Sequence, residues 1–154
     1  MTDTERGFQA ALARLSHPPV FKLLDPGVHK LIDRWLARRG NTPRPRTAPL
    51  FFGSSMTVLL PEVISEAIYT YGLFDETVTW MAMQAVRPED IIFDVGAHFG
   101  YFSLLFAHLT GAKGRVYSFE PTPSTFNVLD GNVRDNPAIT ALNLAAGDKP
   151  GKIE

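Results

Sequence analysis

The stretch Ile91-Ile92-Phe93-Asp94-Val95-Gly96-Ala97-His98-Phe99-Gly100-Tyr101 constrains this chain more than any other. Four apolar residues surround a single acid with no polar alternation, the pattern of a parallel strand covered on both faces. Gly96 then permits a tight turn, and Gly100 lets the following helix lie close to the strand or to a ligand. An acid at the carboxyl end of such a strand faces the crevice in which open α/β sheets bind ligands. The stretch therefore reads as strand, glycine turn and helix start, built to hold a nucleotide-like cofactor.

The flanking chain supplies the rest of a sheet. Phe102, Leu105, Phe106 and Leu109 mark a helix from about residue 99 to Thr110, stopped by Gly111. Val116 to Phe119 is a second strand ending at Glu120. Thr122-Pro123 opens a helix with Phe126, Leu129 and Val133 inward, and Ile139 to Ala145 is a third strand. This β-α-β-α-β alternation requires a parallel sheet with right-handed crossovers. The fold class expected is α/β, the front part of a doubly wound sheet halted after its third parallel strand. On that reading the chain is the leading portion of a longer protein.

Upstream, Phe8, Ala11, Leu12 and Leu15 recur at helical spacing until His17-Pro18-Pro19. Asp25-Pro26 caps a second helix through Trp35 and Leu36, and Arg38-Arg39-Gly40 ends it. Residues 1–40 thus read as a helical appendage, and 41–49, with three prolines and two arginines, as a linker. From Leu50 onward the main domain begins. Leu50 to Phe52 and Met56 to Leu60 flank Gly53-Ser54-Ser55 as a short hairpin. Pro61 opens a helix closed by Gly72, and Asp75 caps the next one.

Charge divides along the same line. Residues 1–50 hold nine Lys/Arg against four Asp/Glu, whereas residues 51–154 hold six against twelve. A weakly basic arm of this size reads as a solvated helical face rather than a nucleic-acid or membrane surface. Cysteine is absent. Met1 to Arg6 lacks a charged-then-apolar leader, and no apolar run reaches about 18 residues. The expectation is a cytoplasmic chain. His17 and His29 lack metal-ligand spacing with their neighbours, so no metal is expected.

Asp94, Gly96, Gly100 and Glu120 form the constellation with a chemical rationale. Glu120 closes the strand after Asp94's and lies 24 residues beyond Gly96. That is near the offset at which a carboxylate accepts hydrogen bonds from ribose hydroxyls. A carboxylate suits a diol because it offers acceptors alone. A dinucleotide fingerprint needs G-x-G-x-x-G, and the middle glycine is missing here. Asp94 would repel a pyrophosphate and attract an ammonium or sulfonium group. S-adenosylmethionine, cationic at one end and carrying a free ribose, meets both requirements. Other roles are open: Glu120 can cap the following helix, and turn amides can satisfy Asp94 entirely. His98 can contact cofactor, cap the helix or face solvent.

The run Asp94-Val95-Gly96-Ala97-His98-Phe99-Gly100-Tyr101-Phe102-Ser103 resembles the first motif of class I S-adenosylmethionine-dependent methyltransferases. Phe119-Glu120-Pro121 with Thr122-Pro123 resembles their second motif in the form used by FkbM-type enzymes. Ala145-Ala146-Gly147-Asp148, and the upstream block from Gly53-Ser54-Ser55-Met56 through Gly72-Leu73-Phe74-Asp75, are similar to the same family. The resemblance spans roughly residues 50–154 and implies a Rossmann-like fold and methyl transfer, with oxygen of a small molecule or saccharide-type compound as acceptor. It implies that Asp94, Gly96 and Ala97 line the methionine end of the cofactor and that Glu120 binds the ribose. Gly100 and His98 would belong to the same turn, and Ala145 and Ala146 would face the adenine. His98 stands where the family usually has asparagine. No catalytic base can be named from the sequence. A nicotinamide-dependent oxidoreductase and a non-catalytic interaction module docking through its basic helices are the rival readings. Binding of cofactor by these 154 residues alone is expected to be weak.

Overall fold

The computed structural model describes residues 1–16, 43–149 and 151. Its described elements group into two compact units, Met1–Phe74 and Asp75–Glu154. The helix expected over residues 25–40 lies outside the described residues.

In the first unit, α1 (Asp3–Ser16) buries Phe8 and Ala11. The Phe8 ring meets Phe51 edge-on at 5.6 Å, so α1 packs on the hairpin loop rather than standing apart as an appendage. That hairpin differs from the sequence expectation. Its strands are β1 (Arg44–Pro49) and β2 (Ser55–Leu60), antiparallel, with Arg44 opposite Leu60 and Pro49 opposite Ser55. The segment read as the end of a proline-rich linker is thus a strand, and Leu50 to Ser54 form the turn. Pro45 and Pro49 are four residues apart and so remove N–H groups from one edge alone, which a two-stranded ribbon tolerates. Ala48 and Val58 are fully buried. Helix α2 (Val63–Tyr71) follows, its first amides bonded to the Glu62 carboxylate at 2.9 and 2.7 Å.

The second unit opens with α3 (Glu76–Ala85), capped by Asp75 as expected through a bond from the Val78 amide at 3.0 Å. Then come β3 (Ile91–Val95), α4 (Tyr101–Thr110), β4 (Arg115–Phe119), α5 (Pro123–Val133) and β5 (Ile139–Leu142). The strands form one parallel sheet in the order β3-β4-β5, with Asp94 opposite Ser118 and Phe119 opposite Leu142. Two right-handed crossovers stepping the same way lay α4 and α5 on one face of the sheet. Leu105, Val116, Leu129 and Val133 form the core there. The inward side of α4 is Ser103, Leu104, Leu105 and Ala107, so Phe102 and Phe106, expected inside, are only half-buried.

The other face corrects a second expectation. Ile91, Phe93 and Val95 are exposed, Phe93 at 64%, instead of being covered on both sides. The Phe93 ring stacks on Tyr117 at 5.5 Å and on Phe119 at 6.2 Å. An unbroken apolar run records that a strand is buried somewhere in a sheet, but not which of its faces these helices reach.

Candidate cofactor site at the ends of β3 and β4

At the carboxyl end of β3 the chain leaves the sheet at Val95 and makes a five-residue turn before α4. Gly96 has φ +80°, His98 +51° and Gly100 +95°, so three of the five turn residues lie in the left-handed region. A Cβ at Gly96 would meet open space, and the glycine is needed for its angle alone. At Gly100 a Cβ would also sit 2.8 Å from Leu129 Cδ1, so the close neighbour there is α5, where the sequence reading expected the strand or a ligand. The Asn132 side chain fixes the turn from α5, donating to the Phe99 carbonyl at 2.8 Å.

The amides of this turn are consumed by the protein. Gly96 and Ala97 N–H both donate to the Phe119 carbonyl at 2.9 Å, and Gly100 N–H donates to Ala97 at 2.8 Å. His98 N–H donates to Glu120 Oε2 at 3.1 Å. Three amides that a phosphate-binding loop would aim at an anion instead tie the turn to the end of β4, and that of Gly100 closes the turn on itself. The turn is therefore not a pyrophosphate cradle, in agreement with its missing middle glycine.

Both strand-end acids are buried, Asp94 at 8% exposure and Glu120 at 7%. Asp94 Oδ2 accepts a 2.6 Å bond from the Ser103 hydroxyl, which in turn accepts one of 2.8 Å from the Ser118 hydroxyl. It is thus held from α4, by the Ser103 side chain. Burial pushes the Asp94 carboxyl above the ordinary carboxylate range, with the Ser103 hydroxyl and then its backbone amide pulling the other way. Glu120 accepts from two amides, His98 at Oε2 and Thr122 at Oε1, the latter at 2.9 Å at the head of α5. Capping is thus one part of its role and bracing the turn another. Each carboxylate oxygen retains a lone pair for a further donor.

The structure brings Asp94, Gly96, Ala97, His98, Gly100 and Glu120 onto one rim. His98 is half-buried beside Phe99, the two rings 4.0 Å apart. β5 ends at Leu142, earlier than expected, and leaves Ala145 and Ala146 exposed beyond it. Asn143, which sequence reasoning missed, reaches the rim instead. Its amide donates to the Glu120 carbonyl at 2.8 Å and the Pro121 carbonyl at 3.0 Å. Ser103 and Ser118 were missed as well. Their signal is a lone hydroxyl at an inward position of a segment otherwise filled with Val, Leu and Ala. Tyr101 is core, its hydroxyl 3.1 Å from Thr79 Oγ1. Among the described residues no three His, Asp or Glu side chains gather as a metal site. No described helix is long and apolar enough to cross a membrane.

Comparison with known proteins meets the same residues. Residues 94–154 match the family described as the methyltransferase FkbM domain, a span that begins at Asp94 and contains every rim residue. A 31-O-demethyl-FK506 methyltransferase FkbM of Streptomyces tacrolimicus is 43% identical over 67 residues, 43% of this chain. The match spans about a quarter of that relative's length (25%). Among solved structures, Pyrococcus horikoshii TYW2 in complex with MeSAdo superposes with a TM-score of 0.54 at 18% identity, covering 83% of this chain and 53% of the other. A candidate transferase of Pyrococcus horikoshii gives 0.51 at 15%, covering 76% and 47%. At such identities the likeness concerns the fold, a Rossmann-like α/β sheet. The upstream block from Gly53 to Asp75 falls outside the family match, whereas the first and second motifs and the segment after β5 fall inside it. The part of the chain that carries the rim is similar to the FkbM-type methyltransferases over residues 94–154.

Proposed function

We propose that the protein transfers the methyl group of S-adenosylmethionine to an oxygen of a small-molecule or saccharide-type acceptor. The observation that carries this reading is the pair of buried carboxylates flanking a turn whose amides are already spent. Such a rim favours a ligand that brings hydrogen-bond donors and positive charge over one that brings phosphates. Asp94, with Gly96 and Ala97, would hold the cationic methionine end, and Glu120 the ribose hydroxyls. Gly100 and His98 would fix the turn, and the segment Ala145-Ala146 would border the adenine. When bound, the cofactor supplies an electrophilic methyl carbon. The protein's contribution is alignment of acceptor oxygen, methyl and sulfur for direct displacement, with a base assisting a hydroxyl acceptor. An oxygen acceptor is in keeping with the name of the Streptomyces tacrolimicus relative, a 31-O-demethyl-FK506 methyltransferase. A cytoplasmic setting, with neither nucleic acid nor membrane as partner, is part of the same reading and fits a chain without cysteine.

Thermal-shift titration separates this from nicotinamide chemistry. S-adenosylhomocysteine is expected to raise the melting temperature and NAD to leave it unchanged. Stabilisation by NAD alone would overturn the assignment.

A further inference from the structure

Ser103 and Ser118 are fully buried between α4 and the sheet, where their neighbours Leu104, Leu105 and Val116 are apolar. A buried hydroxyl without a partner is costly, so two side by side need an explanation. Each serine has one proton to give. Ser118 gives its proton to Ser103, and Ser103 gives its own to Asp94 Oδ2. The chain of bonds has one direction and ends on an oxygen that accepts.

We propose that Ser103 and Ser118 are positioning residues, a hydroxyl relay that holds the buried Asp94 carboxylate ionised and in one rotamer for the cationic methionine end of the cofactor. Linked hydroxyls polarise one another, so the second serine strengthens the bond made by the first. The relay also fixes Asp94 from behind, on the α4 side, while the turn closes around its other side. The remaining titratable or charged groups on these elements are His98 and Glu120 at the rim, Arg115 and Tyr117 on β4, and His108 and Tyr101 on α4, the Tyr101 hydroxyl being taken up by Thr79. Arg115 and Tyr117 alternate to the opposite face from Ser118, and His108 lies more than a helical turn beyond Ser103. His98 and Glu120 are therefore the groups that share the rim with Asp94, and both are unchanged in the variants below.

The ligand half of this inference rests on the S-adenosylmethionine reading, while the carboxylate half does not. The test uses the full chain with Ser103→Ala, Ser103→Thr and the double variant S103A/S118A. The double variant replaces both members of a hydroxyl pair by apolar groups and should retain the fold. Carboxyl-carbon NMR of Asp94 should show its titration moved upward in S103A and the double variant and restored in S103T. Calorimetry at neutral pH should show about tenfold weaker binding of S-adenosylhomocysteine to S103A, with 5′-methylthioadenosine, which lacks the amino-acid end, unaffected. An Asp94 titration identical in S103A and the unmodified chain would overturn the relay. Equal losses for both ligands would overturn it too, assigning Ser103 to packing alone. If the unmodified chain binds neither ligand, the methyl-transfer reading falls, and the NMR titration still decides the relay.

Discussion

The backbone N–H of His98 donates to the carboxylate of Glu120 across 22 residues of sequence, at 3.1 Å. A residue of the first strand's turn is thereby fastened to the acid that closes the second strand, and Thr122 N–H holds the other oxygen at 2.9 Å. Glu120→Gln keeps the volume but sets an NH2 group against one of these two donors. The expected cost is about 1–3 kcal/mol of stability, because one buried amide is left unpaired. Affinity for S-adenosylhomocysteine should fall as well, since one of the two acceptors offered to the ribose is lost. Urea unfolding and calorimetry on the same variant check both outcomes, and unchanged stability would show that the brace contributes nothing.

Gly96 and Gly100 are both glycines at positive φ, yet they should not be equally sensitive. Gly96→Ala meets no atom and pays for its angle alone, about 1 kcal/mol. Gly100→Ala pays for φ +95° and must also push back Leu129 Cδ1 at 2.8 Å and Val133 Cγ1 at 3.3 Å. Its cost should be about 2–4 kcal/mol. Denaturant midpoints of the two variants, compared at equal slope, test the ranking, and a larger loss at Gly96 would contradict it.

His98 occupies the position where the FkbM-type motif usually carries asparagine, and its φ of +51° gives the physical reason that either residue fits. Asn and His are among the non-glycine residues enriched in the left-handed region, whereas β-branched residues are outliers there. His98→Asn should leave stability within about 0.5 kcal/mol of the unmodified protein, while His98→Val should cost about 1–3 kcal/mol. Because the group that holds Glu120 is the backbone amide, His98→Asn should also preserve cofactor affinity. A large affinity loss in that variant would assign the imidazole a direct contact.

What the sequence made legible follows from period and punctuation. The parallel strands, their crossovers and the rim from Asp94 to Glu120 were readable because glycines, apolar runs and strand-end acids carry local signals. Strand β1 was not, because Pro45 and Pro49 argue against a strand unless the strand is an edge. The exposed side of Phe93 was not, because a solid apolar run does not say which face is covered. Ser103, Ser118 and Asn143 were missed for a different reason. A serine or an asparagine has the composition of a surface residue, and only the fold, which sets Ser118 opposite Asp94 and bonds it to Ser103, reveals the partners.

Asp94 also makes a pH prediction. Its carboxyl titrates above the ordinary 3.8 in the folded protein, chiefly because burial disfavours the charge. The folded state therefore binds this proton more tightly than the unfolded chain does. The stability that Asp94 contributes is fully present below the unfolded value and is lost as pH rises through the folded one. Asp94→Asn cannot ionise, so the stability of the unmodified protein minus that of the variant should fall as pH rises from about 3.8 and level off once Asp94 is fully charged. Ligand binding should move oppositely, with S-adenosylhomocysteine affinity growing as Asp94 ionises and Asp94→Asn lacking that growth. Urea unfolding of both proteins between about pH 3.5 and 8, with calorimetry at matching points, measures both curves. A difference that rose with pH would mean that hydrogen bonding outweighs burial at this acid. It would then be an ordinary stabilised carboxylate rather than a charge kept, at a cost to the fold, for the ligand.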